Sequence, residues 1–209
     1  MTADLSIARS ELILGGQKSG KSRRAELLAR QWLAQSPTHR AVLIATGQAW
    51  DEEMAERIAR HQRDRAERVP GMLTLEEPRD LAGALARVGS PQALVVVDCL
   101  TLWLTNWLMP VAPGGGPHPN LPPKGEGAST DEAQDWPAQA ALFLKVLQQA
   151  PGPVVLVGNE IGLGVIPLGR EVRAFVDALG RLNQQVAAAC TRVTLMAAGL
   201  PLALKDEAP

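Results

Sequence analysis

Cysteine is scarce in this chain, with only Cys99 and Cys190 among 209 residues. The two stand far apart and neither sits at metal-ligand spacing, so buried thiols in a reducing cytosol are expected rather than a disulfide or a zinc site. Net charge is scarce too, at -1 from 21 basic and 22 acidic side chains. No global field therefore draws the chain onto nucleic acid or an anionic membrane, and any phosphate recognition must be local. Long apolar runs are missing, and Asp4 and Glu11 interrupt the first stretch; neither a signal peptide nor a membrane span is expected. Internal repeats are missing as well. The length suits one domain with a full core. The expected division is a disordered, frayed tail over 1–10 and a single domain over 11–205.

What the chain does have is alternation. Short apolar runs at Glu11–Leu14, Ala41–Ala45, Ala93–Val97, Val154–Val157 and Arg192–Met196, with a further candidate at Leu202–Lys205, read as strands. Between them the helical period predicts Lys21–Gln35, Asp51–Arg68, Leu81–Val88, Leu100–Met109, Asp131–Gln149 and Arg170–Ala189. This order predicts an α/β fold, a mostly parallel central sheet flanked by helices in a three-layer sandwich. Ligands of such sheets bind beyond the carboxyl ends of the strands, so the loops after Leu14, Ala45, Val97 and Val157 are expected to converge. One segment breaks the pattern. Over 111–129 prolines and the run Gly114-Gly115-Gly116 forbid helix and strand alike, and a mobile surface insertion is expected there.

The most informative loop is Gly15-Gly16-Gln17-Lys18-Ser19-Gly20-Lys21-Ser22, which fits G-x-x-x-x-G-K-[ST] between a strand and a helix. Glycines let the backbone turn tightly and aim successive N–H groups at an anion, with the positive end of the following helix behind them. Lys21 would place a point charge on the outer phosphates, and the Ser22 hydroxyl would help hold Mg2+. This context makes the sandwich one of the P-loop NTPase type. Asp98, directly after Leu94-Val95-Val96-Val97, stands where a second acidic partner of the metal is expected; the bland alternative is a helix cap.

The helix opened by Asp51-Glu52-Glu53 carries Met54, Ile58 and His61 on one stripe, with Arg57, His61 and Arg65 one turn apart. On residues alone His61 reads first as a polar residue capping the core, and second as an imidazole nucleophile beside phosphate-binding arginines. His39 reads as surface, and His118, inside the proline-rich segment, as uninvolved. The glycines and proline around Asn159 and Glu160 predict a shaped loop on the active face. Arg170, Arg173, Asp177 and Arg181 form either a solvated face or a contact to substrate phosphate or a neighbouring subunit.

The ordered set of these segments resembles the bifunctional adenosylcobinamide kinase and adenosylcobinamide-phosphate guanylyltransferase of cobalamin biosynthesis. Beside the phosphate loop, the matching stretches include Ile44-Ala45-Thr46, Asp51-Glu52-Glu53-Met54 with Arg57-Ile58 and His61, and Thr74-Leu75-Glu76-Glu77-Pro78. Further on they include Asp98-Cys99-Leu100-Thr101-Leu102-Trp103-Leu104, Asn159 through Pro167, Gly180-Arg181-Leu182-Asn183-Gln184 and Ala198-Gly199-Leu200-Pro201. The resemblance implies two reactions: phosphorylation of adenosylcobinamide by ATP or GTP, then transfer of GMP from GTP to adenosylcobinamide phosphate through a GMP-histidine that falls on His61. It implies nucleotide contacts from Gly15, Gly16, Gln17, Lys18, Ser19, Gly20, Lys21, Ser22, Ala45, Thr46, Gly47, Arg65, Glu76 and Asp98. It also implies Mg2+ at Ser22 and Asp98, a cytoplasmic location and a homotrimer. The segment Ala66 to Leu73 is longer than the family's and lacks its tryptophan; Lys18 replaces a frequent arginine and Thr191 a usual acidic residue. Another small-molecule kinase with an idle His61, or a nucleotide-gated binding protein, is the alternative.

Overall fold

The computed structural model of the chain describes residues 5–109 and 130–207. Its backbone is one seven-stranded sheet. In chain order the strands are β1 (Ser10–Gly15), β2 (Arg40–Ala45), β3 (Leu73–Glu76), β4 (Ala93–Asp98), β5 (Val154–Val157), β6 (Arg192–Ala197) and β7 (Leu200–Asp206). The helices are α1 (Lys21–Gln35), α2 (Glu52–Arg68), α3 (Leu81–Val88), α4 (Leu100–Leu108), α5 (Thr130–Gln148) and α6 (Arg170–Ala189). The spatial order is β3-β2-β4-β5-β1-β6-β7, with every pair parallel except β6 and β7.

The alternating strand residues sort into two cores. Leu12, Leu14, Val95, Val97, Val154 and Leu156 point to one face, where α3, α4, α5 and α6 cover them. Trp103 of α4 anchors that layer, edge-on to Trp136 and Phe143 of α5, and its indole N–H donates to the Arg79 carbonyl at 2.8 Å. Ile13, Leu43, Val96, Val155 and Val157 point to the other face, against Ala25, Leu28 and Ala29 of α1. Three layers follow, as the alternation predicts.

Four differences from the sequence reading have physical causes. β3 was not anticipated: it is four residues long, mostly exposed, and extended only because it pairs with β2, Val42 opposite Leu73 and Ala45 opposite Glu76. The last strand is longer than predicted, since pairing with β6 recruits Leu200 and Asp206. The expected frayed tail is corrected over its second half. Leu5 and Ile7 pack on the α1 side of the core, the Arg9 guanidinium donates to the Gln148 carbonyl, and Ser10 opens β1. His39 is not plain surface either: its ring stacks on Trp32 at 3.7 Å with Nδ1 hydrogen-bonded to the Trp32 carbonyl. The proline-rich segment 111–129, with His118, lies outside the described residues.

The α1 side of the sheet also holds a buried ion pair, Glu11 with Arg24. Glu11, in the middle of the sheet at 1% exposure, accepts from Arg24 Nε at 2.8 Å and from the Thr194 hydroxyl at 2.8 Å; Arg192 adds a longer contact at 3.8 Å. The pair rivets the phosphate-loop helix to its strand. Removing the Arg24 charge leaves the buried Glu11 carboxylate with only the Thr194 hydroxyl and the longer Arg192 contact, a larger loss than the pair itself contributes. Arg24→Met should therefore destabilise the fold by about 3–5 kcal/mol, read as a lower denaturant midpoint at constant slope. Adding Glu11→Leu to it should recover at least half of the loss; a double variant as unstable as the single one would refute this reading.

Candidate active site

The loop between β1 and α1 is shaped by close contacts only glycine permits. A Cβ on Gly15 would lie 2.5 Å from the Met196 carbonyl oxygen and 2.6 Å from Ser19 Oγ. Gly20, at φ 101, makes the left-handed turn into α1, and Lys18 shares the positive-φ region at 57. Two backbone bonds hold the loop from either side: Glu160 N–H donates to the Gly15 carbonyl at 3.1 Å, and Gly199 N–H to the Ser19 carbonyl at 3.0 Å. The Lys21 ammonium folds back onto the Gly16 carbonyl at 2.7 Å. Burial pulls its pKa below the ordinary lysine value, with the Asp98 charge opposing. The Ser19 hydroxyl is buried with no hydrogen-bond partner among the described residues.

Parallel register lines up the carboxyl ends of the neighbouring strands. Ala45 pairs with Glu76 on one side and with Asp98 on the other, and Asp98 pairs with Val157. The four loops anticipated from sequence do meet along this edge. Asp98 comes near enough to Lys21 to act on its charge, and the Ser22 hydroxyl, half-buried, opens the helix behind it. Asp98 is not the side-chain cap of α4, whose N-terminus has none.

Thr46 proves to be a brace. Fully buried, its hydroxyl donates to the Cys99 carbonyl at 2.7 Å and accepts the Cys99 N–H at 2.9 Å, while its own carbonyl accepts from Asn106 at 2.8 Å. The hydroxyl is thereby spent, which leaves Gly47 and the flanking backbone as the open part of the turn. Next to it the Cys99 thiol is pushed up to about 12 by burial first and by the Asp98 charge second, so it is no nucleophile.

Polar residues that sequence reasoning passed over organise the fourth loop. Thr101 Oγ1 accepts the Asn159 N–H at 2.9 Å, and Asn183 on α6 donates to the Asn159 carbonyl at 3.1 Å and to Glu160 Oε2 at 3.4 Å. An amide on the otherwise apolar stripe of α6 was the visible signal for Asn183. The arginine row on that helix is partly explained as well. Arg173 donates to the Pro167 carbonyl at 2.9 Å and to the Leu168 carbonyl, shaping the loop rather than facing a solvated surface.

His61 lies on a different kind of element. α2 buries none of its residues. It begins with Asp51 capping the Met54 N–H at 2.7 Å, and its Ile58 reaches toward Gly47. Further along, Gln62 meets Glu76 at 3.4 Å, Arg65 meets Thr74 at 3.3 Å and Arg68 pairs with Glu26 of α1 at 2.8 Å. The imidazole is exposed and has no hydrogen bond among the described residues; it does not cap the core. The structure thus puts Arg65 on the His61 helix with Glu76 beside it, and Lys21, Asp98 and Ala45 along the strand ends, with no hydrogen bond or ion pair between His61 and the phosphate loop among the described residues.

Comparison with known proteins gives a consistent result. The family model described as cobinamide kinase / cobinamide phosphate guanyltransferase matches residues 11–204. The bifunctional adenosylcobalamin biosynthesis protein CobP of Pseudomonas aeruginosa is 43% identical over 198 residues, covering 94% of this chain and 98% of that protein. The bifunctional adenosylcobalamin biosynthesis proteins CobU of Salmonella typhimurium and Escherichia coli are 36% and 34% identical, each covering 93% of this chain and 98% of the relative.

The Thr46 brace can be tested alone. Thr46→Val keeps the shape but leaves the buried Cys99 N–H without a partner and its C=O with the Trp103 N–H alone, which should cost about 1–3 kcal/mol. Thr46→Ser should retain most of the stability, and a valine variant that melts with wild type would remove the brace from the account.

Proposed function

This chain belongs to the cobinamide kinase / cobinamide phosphate guanyltransferase family, and from that premise we propose that it carries out both reactions of cobalamin assembly on one phosphate-loop scaffold. In the first, the aminopropanol hydroxyl of adenosylcobinamide attacks the γ-phosphorus of ATP or GTP; the P–O bond to the nucleoside diphosphate breaks and the hydroxyl proton is lost. In the second, an unprotonated nitrogen of His61 attacks the α-phosphorus of GTP and pyrophosphate leaves. The phosphoramidate is then attacked by a phosphate oxygen of adenosylcobinamide phosphate, giving adenosylcobinamide-GDP and free imidazole. Splitting one difficult transfer into two is what a nucleophilic side chain contributes.

The observation that carries the reading is the exposure of His61 on a helix seated beside Glu76 and Gly47, at the same sheet edge as the phosphate loop. An imidazole that must meet first a triphosphate and then a bulky corrinoid phosphate has to be accessible. Gly15 to Ser22 would cradle the phosphates, with Lys21 released from the Gly16 carbonyl to the incoming anion. Ala45, Gly47, Arg65 and Glu76 would contact base and ribose on the α2 side, with Thr46 behind them. The Ser22 hydroxyl and the Asp98 carboxylate are oxygen donors of the kind Mg2+ takes and would hold it, Ser22 on the first turn of α1 and Asp98 close enough to Lys21 to act on its charge. When bound, that ion would neutralise charge on the transferring phosphates.

Incubation with α-labelled GTP and Mg2+ tests the second half. Label should survive denaturation, be acid-labile and base-stable, and fall by more than a hundredfold in His61→Ala; label persisting in that variant would remove His61 from the mechanism.

The assembly proposed is a homotrimer in the cytoplasm. Its support is the apolar rim of the fourth loop, where Val165 and Leu168 are 96% and 98% exposed beside Ile166, a surface that a second copy would cover. Sedimentation equilibrium should give three times the 22.3 kDa chain mass. Val165→Asp with Leu168→Asp should shift it to monomer; an unchanged mass would relocate the interface.

A further inference from the structure

A cavity of about 400 Å³ opens on the far side of the phosphate loop from Asp98, Thr46 and Glu76. One wall is the loop itself, Gly15 to Ser19. The other is Leu195, Met196, Ala197 and Ala198 at the end of β6, with Leu163 over the top. The sheet order fixes the sides. From β1, the strands β5, β4, β2 and β3 lie in one direction and carry every nucleotide contact assigned so far outside the loop; β6 and β7 lie in the other and carry the cavity.

This cavity is built rather than incidental. The β6–β7 turn passes through Ala198 and Gly199, both at positive φ, and is clamped to the loop by the Gly199 N–H bond to Ser19. A Cβ on Gly20 would lie 3.3 Å from Gly199 Cα, so the two turns touch. The wall opposite the loop is wholly aliphatic: two leucines, a methionine and two alanines. Such a surface takes a flat heteroaromatic ring by apolar contact and holds no side chain able to read its edge.

The two reactions proposed above cut a triphosphate at opposite ends. Guanylyl transfer breaks the bond between the α- and β-phosphates, and its reacting phosphorus must face α2. Phosphorylation breaks the bond between the β- and γ-phosphates, and its reacting phosphorus must face the acceptor hydroxyl. A single orientation of the nucleotide cannot present both ends to the same open side of the loop. Resting on the kinase reading, we propose that the β6-side cavity is the purine site of the phosphoryl donor, so that a nucleoside triphosphate enters the loop from opposite sides in the two half-reactions. Continuity carries this: five of the ten cavity-lining residues are the phosphate cradle, so a base seated there has its own phosphates already in the loop.

Two consequences separate this site from the one beside α2. The aliphatic wall cannot discriminate adenine from guanine, so kcat/KM of the kinase for ATP and GTP should agree within about threefold. Blocking the cavity should strike one activity alone. Ala197 is exposed at the end of its strand, so Ala197→Trp fills the space without entering the core.

The experiment uses the full chain with adenosylcobinamide and Mg2+. Ala197→Trp should raise KM for ATP in the kinase reaction at least tenfold while kcat changes less, and should change the ratio of kinase to self-guanylylation activity by the same factor. An unchanged KM would overturn the proposal, as would parallel loss of both activities. Photolabelling of wild type with 8-azido-ATP gives a second reading that needs no variant. Crosslinks at Leu195 to Ala198 or at Leu163 support the site, and crosslinks confined to residues 46–77 refute it. Wild type that labels His61 yet never phosphorylates adenosylcobinamide would sink the kinase reading itself, a result obtained before any variant is made.

Discussion

The structure depends on one close approach, that of the phosphate loop to the backbone on either side of it. Gly15 lies so near the Met196 carbonyl that no side chain fits between them. The loop is then tied on the β5 side through the Glu160 N–H and on the β6 side through the Gly199 N–H. Amides that must face an anion cannot satisfy each other, so the loop's curvature has to be imposed from outside. Here its neighbours supply the restraint, and the helix behind is fixed by the buried Glu11–Arg24 pair. The same two ties give the loop two usable sides.

Behind the strand ends runs a second layer of constraint made of neutral polar groups. Thr46, Thr101, Asn106 and Asn183 bond the backbone at Cys99, Pro78, Asn159 and Thr46 itself, joining the four loops that follow β2, β3, β4 and β5. Apolar residues of similar volume would pack there, but they would leave the irregular backbone of those loops unpaired, at about 1–3 kcal/mol for each buried group. The network holds the acidic edge still, so Asp98 keeps its place beside Lys21. The Oδ1 atoms of Asn106 and Asn183 have no hydrogen-bond partner among the described residues, which marks this layer as one whose geometry serves the loops before it serves itself.

Much of this was legible from residues alone, and what was legible had local causes. The bounds of α1, α3 and α6 are encoded in apolar periodicity, and the phosphate loop is spelled by steric need at Gly15 and Gly20. The alternation of strands and helices foretold the three layers. β3 escaped because four half-polar residues become a strand only through β2. Glu11 looked like a polar interruption because its partners lie 13 residues away on α1 and 183 away on β6. Leu5 and Ile7 looked like tail because their contacts come from a core assembled elsewhere. Thr46 was read as a ligand contact, since nothing in its neighbourhood announces that Cys99, 53 residues away, will take its hydroxyl.

α2 poses the remaining physical problem: a helix rich in charge, with no buried residue, carries the histidine proposed as the nucleophile of the second reaction. Without a buried stripe its position must come from its ends and from a few side-chain bonds. The Asp51 cap fixes the start, and near the finish Arg68 reaches Glu26, itself nearly buried on the phosphate-loop helix. That second tie joins the two elements that must cooperate, because any shift of α1 is passed to the end of α2. Segments with so little apolar burial sit at the low-stability end of a protein, and they open before the sheet does. Such looseness would ruin a metal site. For a nucleophile that must first approach a triphosphate in the loop and then present its phosphoramidate to a much larger acceptor, a helix anchored at its ends supplies the access that a core helix could not.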